Sequence, residues 1–468
     1  LSFGGSGGKG GAAGNVTVAN DKTGVIVTTG VNAHGIFAQS VGGGGGTGGS
    51  VESYAGNSIT APSGSDIPAP GEPAPGVQDL IGMTTSAQLS FGGAGGEGGT
   101  GGDVSITNAG IIDTAGAAAH GIFAQSVGGG GGDGGATLNS ATAFQCACVV
   151  SLGAATISLG LGGTGGSGNA AGDVTVVNTG TIVTRGEGSY GILAQSVGGG
   201  GGNGGMAMNT ADSAIVPLGD PVSSIVTKLN FGGTGGAGGD AGDVTVTNTG
   251  DITVLSDNAY GIVAQSVGGG GGTGGMIAND LTFDVVSSAL NTVMGGSSGN
   301  TGKAGTVTVT STGTIAMLGA NSIGILRNAV SGGGGVSTMD IDLSDTVATA
   351  QAGISMRSLN AASVAATAAK PMTVATRLGA TGSDGNAGSD VQAVHRGDSV
   401  TMAKNSFAVL TQTIGGGGGT MLTSLSGAVK QGLRIDGRLG AANSSTSAGG
   451  AISSRRIGIV ATRGAQSL

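Results

Sequence analysis

The chain has no tryptophan, and only 3 tyrosines and 8 phenylalanines among its 468 residues. A globular core of that length normally buries large aromatic anchors, so small and β-branched side chains must fill the interior, which suits a narrow, layered core. Charge is also scarce. Charged residues make up 9% of the chain, far from the charge-rich composition of a disordered polymer. The net charge is −9, and no Lys/Arg cluster exists beyond Arg455-Arg456. Nucleic-acid binding needs a basic footprint and is therefore not expected. No run of 18 or more apolar residues is present, so no helix is expected to span a membrane.

Cysteine is almost absent. Cys146 and Cys148 are the two thiols, and positions i and i+2 of a strand share a face. Two thiols without a third ligand do not make a metal site. They read as small buried residues, or as a strained local disulfide in an oxidising compartment. No signal peptide is visible. The chain opens on Leu1-Ser2-Phe3-Gly4-Gly5, which recurs at Leu89–Gly93. It is therefore expected to begin inside a repeat, and to stop inside one after Gly458-Ile459-Val460-Ala461.

Glycine is what the chain has in excess: 107 residues, against a usual share of about 7%. Only 8 prolines accompany them, most within Ala61–Gly76. The glycines alternate with Val/Ile/Thr-rich segments, which fits neither collagen nor a low-complexity disordered chain.

Internal repetition dominates. Gly35-Ile36-Phe37-Ala38-Gln39-Ser40-Val41 returns at Gly121–Val127, Gly191–Val197 and Gly261–Val267, with degenerate copies at Gly324–Val330 and Ala408–Ile414 and a partial one from Gly458. The start-to-start spacings are 86, 70, 70, 63, 84 and 50 residues. A second element lies upstream, clearest as Asp243–Gly250. Its glycine (Gly24, Gly110, Gly180, Gly250, Gly313 or Gly397) precedes the later motif by 11 residues in all six units. Fixed spacing implies stacking in register, because a one-residue slip would turn every side chain to the opposite face. Variable spacing implies loops or arms outside the stack. The units read as 1–88, 89–158, 159–228, 229–293, 294–376, 377–438 and a partial 439–468.

Each fixed part reads as three short strands, in the fourth unit Val244–Thr247, Asp251–Leu255 and Gly261–Val267. Turns at Asn-Thr-Gly and Ser256-Asp257-Asn258 separate them. Repeated along the chain, this predicts an all-β fold, a right-handed parallel β-helix or solenoid with Gly-rich lateral arms. Helical character is expected at most within the Ala-rich Val347–Ala369. Ile36, Ile122, Ile192, Ile262 and Ile325 should form an inward ladder, as should Ala38, Ala124, Ala194 and Ala264. Arg327 falls in the alanine ladder and predicts either a bulge or a partly open face there. Gln39, Gln125, Gln195 and Gln265 form a further ladder, as do Asn108, Asn178 and Asn248. Segments between Gly tracts, such as Ala207–Asn230, are expected to pair as hairpins. The tracts Gly198–Gly205 and Gly232–Gly239 are expected to be ordered, extended and packed against those of adjacent units. Ordering eight glycines costs about 1–2 kcal/mol each in backbone entropy, and only close approach with mutual hydrogen bonding offsets that.

Few residues suggest chemistry. His34 and His120 share a repeat position with Tyr190, Tyr260, Ile323, Phe407 and Ile457, which describes a half-buried ring ladder and not a ligand set. Asp103, Asp173 and Asp243 form an acidic ladder that would repel or gather calcium. Asn15 and Thr306 at equivalent positions argue against the metal. So does Ser105, where the calcium β-roll pattern needs a large apolar residue. No phosphate-binding loop and no Ser/His/Asp arrangement occurs on the repeated frame, so no enzyme and no cofactor is expected.

The pattern V-T-V-x-N-x-G-x-I followed by Y/H-G-I-x-A-Q-S-V-G-G-G-G-G-x-G-G, met almost throughout Val244–Gly275, resembles the Gly-rich passenger repeats of proteobacterial autotransporters. The resemblance runs through the first four units and fades where Arg327-Asn328-Ala329 and Thr411-Gln412-Thr413 replace Ala-Gln-Ser. It implies export to the bacterial cell surface, outer-membrane anchoring through flanking sequence, a β-helical passenger, an adhesive role and no catalytic residues. The expected partners are other copies of the chain or cell-surface and polysaccharide ligands. A self-assembling filament and an ice- or polysaccharide-binding solenoid, the latter through stacked Thr17, Thr175, Thr245 and Thr247, are the alternative functions.

Overall fold

The computed structural model describes residues 1–59, 84–146, 154–216, 224–280, 287–294, 296–334, 336–343, 372–378, 386, 389–395, 399–401, 407–415, 420–427, 433–439, 452–456 and 460–462. Val347–Ala369, Ala61–Gly76 and Cys148 lie outside the described residues, as does the side chain of Cys146.

The described residues form strands and no helix, so no helix is long and apolar enough to cross a membrane. Among the described residues all strand pairings are parallel, and each joins one repeat to the next. Three core sheets carry the fixed parts. Core sheet I runs from Val16–Asn20 to Ile452–Arg456, core sheet II from Val25–Thr28 to Val460–Thr462, and core sheet III from Ile36–Val41 to Phe407–Ile414. Two arm sheets carry the variable parts. The inbound sheet runs from Ser2–Phe3 to Ser287–Met294, and the outbound sheet from Val51–Ile59 to Thr420–Gly427. The strands Met372–Leu378 and Leu433–Leu439 pair in a separate two-stranded sheet. This stack of parallel sheets is compatible with a solenoid. Ile122 pairs with Ile192 and Ile192 with Ile262, so one repeat supplies one strand to each sheet.

The core follows from strand alternation. Val104, Ile106, Ile112, Ile122 and Ala124, with their counterparts in the next two repeats, are buried in one apolar cluster. Their outward neighbours are mostly half-buried or exposed, Leu193 and Val263 being the buried exceptions. A recurring turn joins core sheets II and III. Asn32, Ala118, Gly188, Asn258 and Asn321 all hold positive φ, between 52° and 68°. Asn and Gly accept that conformation readily, whereas Ala118 bears a Cβ penalty.

Two expectations are corrected. Arg327 neither bulges nor opens the face. It keeps register between Ala264 and Thr411, is fully buried, and donates from Nη1 to Thr411 Oγ1 at 3.2 Å. The sister position in the next repeat is a threonine, which accepts one of the guanidinium hydrogen bonds. Ala207–Asn230 is not a hairpin. Ala207–Val216 and Ser224–Phe231 belong to different sheets, each paired in parallel with its equivalents. Strand growth along the stack satisfies their backbone groups, so neither needs the other. The inbound strands Thr84–Phe91, Ala154–Leu161 and Ser224–Phe231 each run across a unit boundary read from the sequence.

The glycine tracts join core to arms through backbone hydrogen bonds with a period of three residues, the period of a polyproline II helix. In the inbound tract, Gly92, Gly95 and Gly98 donate to Leu161, Thr164 and Ser167 of the next repeat. Gly93, Gly96 and Gly99 donate across to Gly49, Gly46 and Gly43 of the preceding outbound tract. The outbound tract closes the lattice, with Gly129, Gly132 and Gly135 donating to Gly99, Gly96 and Gly93. Two of every three residues thus face neighbouring backbones. A Cβ at Gly166 would overlap the Gly96 carbonyl, whereas a Cβ at Gly130, the third residue of its triplet, would meet nothing nearer than 3.6 Å.

Candidate functional site

Stacking in register turns each repeated residue into a file along the molecule, and the outward and junction files carry the polar chemistry. The asparagine file lies at the end of core sheet I, with Asn20 half-buried and Asn108, Asn178 and Asn248 buried. Asn20 Nδ2 donates to Asn108 Oδ1, Asn108 to Asn178 and Asn178 to Asn248, each at 2.7 Å. Asn248 then donates to Ser311 Oγ at 3.2 Å. The second amide hydrogen of Asn248 reaches the Gly250 carbonyl at 2.9 Å, which fixes the turn into core sheet II. A buried primary amide offers two donors and an oxygen acceptor, and the file uses them within and between repeats.

Sequence reasoning missed a serine file. Ser126 Oγ donates to the Gly102 carbonyl at 2.9 Å and accepts from the Gly172 N–H at 2.8 Å. Ser196 repeats the bridge between Gly172 and Gly242, and Ser266 between Gly242 and Gly305. Each hydroxyl therefore ties core sheet III to the inbound tracts of two successive repeats. The signal was present as the Ser of Ala-Gln-Ser-Val in four units, but spacing alone does not separate a clasp from a surface serine.

The Asp103, Asp173 and Asp243 carboxylates are used by the backbone. Asp103 Oδ1 accepts the Asp173 N–H at 2.9 Å, Asp173 Oδ1 the Asp243 N–H at 2.8 Å, and Asp243 Oδ1 the Thr306 N–H at 2.6 Å. Asn15 supplies the same acceptor to Asp103 at 2.8 Å, which explains why Asn substitutes there. Among the described residues no group of three His, Cys, Asp or Glu side chains gathers around a common point.

Core sheet III carries the richest outward face. His34 and His120 stack with ring centroids 4.8 Å apart, and His120 and Tyr190 at 4.5 Å. Their planes lie within 16° and 13° of parallel. Tyr260 breaks the stack, lying 4.8 Å from Tyr190 but turned by 79°. His34 Nδ1 accepts the His120 N–H and His120 Nδ1 accepts the Tyr190 N–H, both at 3.1 Å. An imidazole accepting at Nδ1 carries its proton at Nε2 and is neutral. Burial lowers the pKa of His34. It lowers that of His120 to about 4, the charge of His34 adding to the effect. Burial, then the neighbouring Tyr260, raises the Tyr190 phenol.

Beside the rings runs the glutamine file. Gln39 Nε2 donates to Gln125 Oε1 at 2.6 Å, Gln125 to Gln195 at 3.1 Å and Gln195 to Gln265 at 2.6 Å. Between rings and amides lie Leu193, Val263 and Leu326, and together they bound an open groove of about 410 Å³. No Asp, Glu, Lys or Arg lines it. On core sheet I the outward residues Thr17, Ser105, Thr175, Thr245 and Thr308 pair in one hydroxyl file. The neighbouring file, Ala19, Thr107, Val177, Thr247 and Thr310, is interrupted.

No family model, no curated protein and no solved structure matches the chain.

Proposed function

We propose that this chain is part of an extracellular surface protein with a structural or adhesive role. In this reading it is a right-handed parallel β-solenoid with Gly-rich lateral arms, akin to an autotransporter passenger exposed at a bacterial surface and anchored through flanking sequence. The observation that carries the reading is the one-strand-per-repeat register of the five long sheets. Such a molecule lengthens by stacking, and its outward side chains fall into long files. Repeated weak sites along one axis suit multivalent attachment, in which effective concentration multiplies affinity. Catalysis needs a single dissimilar constellation, and the files repeat the same side chains, so the proposal includes no enzymatic activity and no cofactor. The partners proposed are surface polysaccharides and further copies of the chain.

Two measurements test this. Beads coated with the purified chain should resist shear on polysaccharide-coated and cell-coated surfaces better than beads carrying an unrelated acidic protein. Brief protease treatment of intact source cells should release peptides of this chain. Equal detachment of both bead types, together with full protection on intact cells, removes the reading. The hydroxyl file on core sheet I favours a second reading, ice binding, which thermal hysteresis of the purified chain would detect.

A further inference from the structure

We infer that the groove on core sheet III binds a neutral glycan chain lying along the stack, with the face of Tyr260 as its platform and the glutamine file as its hydrogen-bonding rail. The inference rests on the adhesive reading and gives it a ligand class and a site.

The ring geometry comes first. His34, His120 and Tyr190 cover one another's faces, so they offer mainly ring edges. Tyr260 is turned by 79° to that stack, and its partner in the next repeat is Ile323, not an aromatic ring. No further ring therefore stacks on Tyr260, which is half-buried and lines the groove. A tyrosine ring combines an apolar body with a polar tip, which complements a sugar with its C–H face and rim of hydroxyls.

The amides supply the second element. Gln195 uses one N–H on Gln265 and one oxygen lone pair on Gln125. A primary amide has two donors and two lone pairs, so Gln195 retains one of each. Repetition of this file yields alternating donors and acceptors along the axis, which match sugar hydroxyls that both donate and accept. Leu193 and Val263, both buried, and half-buried Leu326 form the apolar floor of the groove, as binding clefts commonly have. The lack of charged side chains among the lining residues disfavours anionic or cationic polymers, which would lose hydration without gaining a counter-charge.

The test is native affinity electrophoresis of the full chain in gels containing hydroxyethyl cellulose, a galactomannan or soluble starch, all neutral. Retardation is expected in at least one. Tyr260→Ile places the side chain of the next repeat at this position and so suits the fold. It should weaken the apparent affinity at least tenfold, and Gln265→Ala severalfold. Thr253→Ala, a half-buried position on core sheet II, should leave retardation unchanged, with the same far-UV circular dichroism for all variants. No retardation in any of the three gels overturns the inference. Equal retardation of Tyr260→Ile overturns it too, as does Tyr260-dependent binding of a neutral decapeptide without glycan binding. The bead assay separates the two claims. If beads coated with the Tyr260→Ile variant resist shear as well as beads coated with the parent chain, the adhesive reading stands and the groove loses its role.

Discussion

The core and the glycine tracts solve the same stacking problem by opposite means. In the core, register is written in side chains: Ile122, Ile192 and Ile262 sit one above another in an apolar interior. In the tracts, register is written in the backbone, with Gly96 donating to Gly46 and accepting from Gly132. The arms beyond the tracts differ again. Ser86, Gln88, Ser90, Thr156 and Ser158 are buried in the inbound sheet, while Ile157, between Thr156 and Ser158, is 50% exposed. Polar groups in the arm bond across the two sheets, as Ser90 Oγ does to Asn139 Oδ1 at 2.5 Å. Burial of apolar area therefore stabilises the core and backbone hydrogen bonds hold the tracts, whereas the arm strands rest on their parallel backbone ladders, with the buried hydroxyls of Ser86, Thr156 and Ser158 left without a hydrogen-bond partner. These regions should respond differently to substitution.

The largest effect is expected in the tracts. Gly163→Val, Gly166→Val and Gly202→Val together would drive three side chains into the carbonyls of Gly93, Gly96 and Gly132. Backbone has no rotamer with which to yield, so the affected repeats should lose cooperative unfolding and amide protection. Gly130→Ala, at a position with room for a Cβ, should change the melting temperature little. Equal effects from the triple variant and Gly130→Ala would mean that the tracts are not a close-packed lattice.

Next comes the core. Ile192 is fully buried between Ile122 and Ile262. Ile192→Asp should cost several kcal/mol, since an isolated carboxylate has no partner there. Thermal unfolding would read it, and an unchanged midpoint would contradict a packed ladder. The clasp between the regions should cost less. Ser196→Ala leaves the Gly242 N–H and the Gly172 carbonyl without the hydroxyl, at about 1–3 kcal/mol. Hydrogen exchange should rise at Gly242 in particular, because the sister file member Ala329 shows that alanine itself is sterically accepted.

The isoleucine, glutamine and asparagine files were legible because strand alternation and a fixed spacing of 11 residues leave one way to stack them. The apolar files required only that pattern. The arms were less legible. Ala207–Val216 and Ser224–Phe231 lie close in sequence and carry hairpin-like composition, yet each finds its partner a full repeat away. Local sequence does not express that competition. The tracts were anticipated as mutually bonded, but not with their three-residue period. That period is visible in Gly232-Gly233-Thr234-Gly235-Gly236-Ala237, where every third residue is free to carry a side chain. Of the candidate groove, both files were named, but the turned ring of Tyr260 was not, because ring orientation depends on packing between neighbouring repeats.

The smallest effect expected is a pH dependence of the ring file. His120 accepts the Tyr190 N–H through Nδ1, and protonation would turn that acceptor into a donor. Its pKa falls from 6.5 to about 4, first through burial and then through the charge of His34. A histidine with a depressed folded pKa binds fewer protons folded than unfolded between those values, so stability rises with pH across that window. The contribution is complete above pH 6.5, declines as pH falls toward 4, and is level below. His120 is only half-buried, and solvent screening reduces the effect, to roughly 1–3 °C in melting temperature for a chain of this size. Unfolding at pH 7.5 and pH 4.5 should show the intact chain losing more than His120→Tyr, which places the ring of Tyr190 and Tyr260 at the same position. Acidic groups elsewhere titrate in both proteins and cancel in the difference. Equal losses for the two proteins would show that the imidazole keeps its partner when protonated, and would uncouple the ring file from pH.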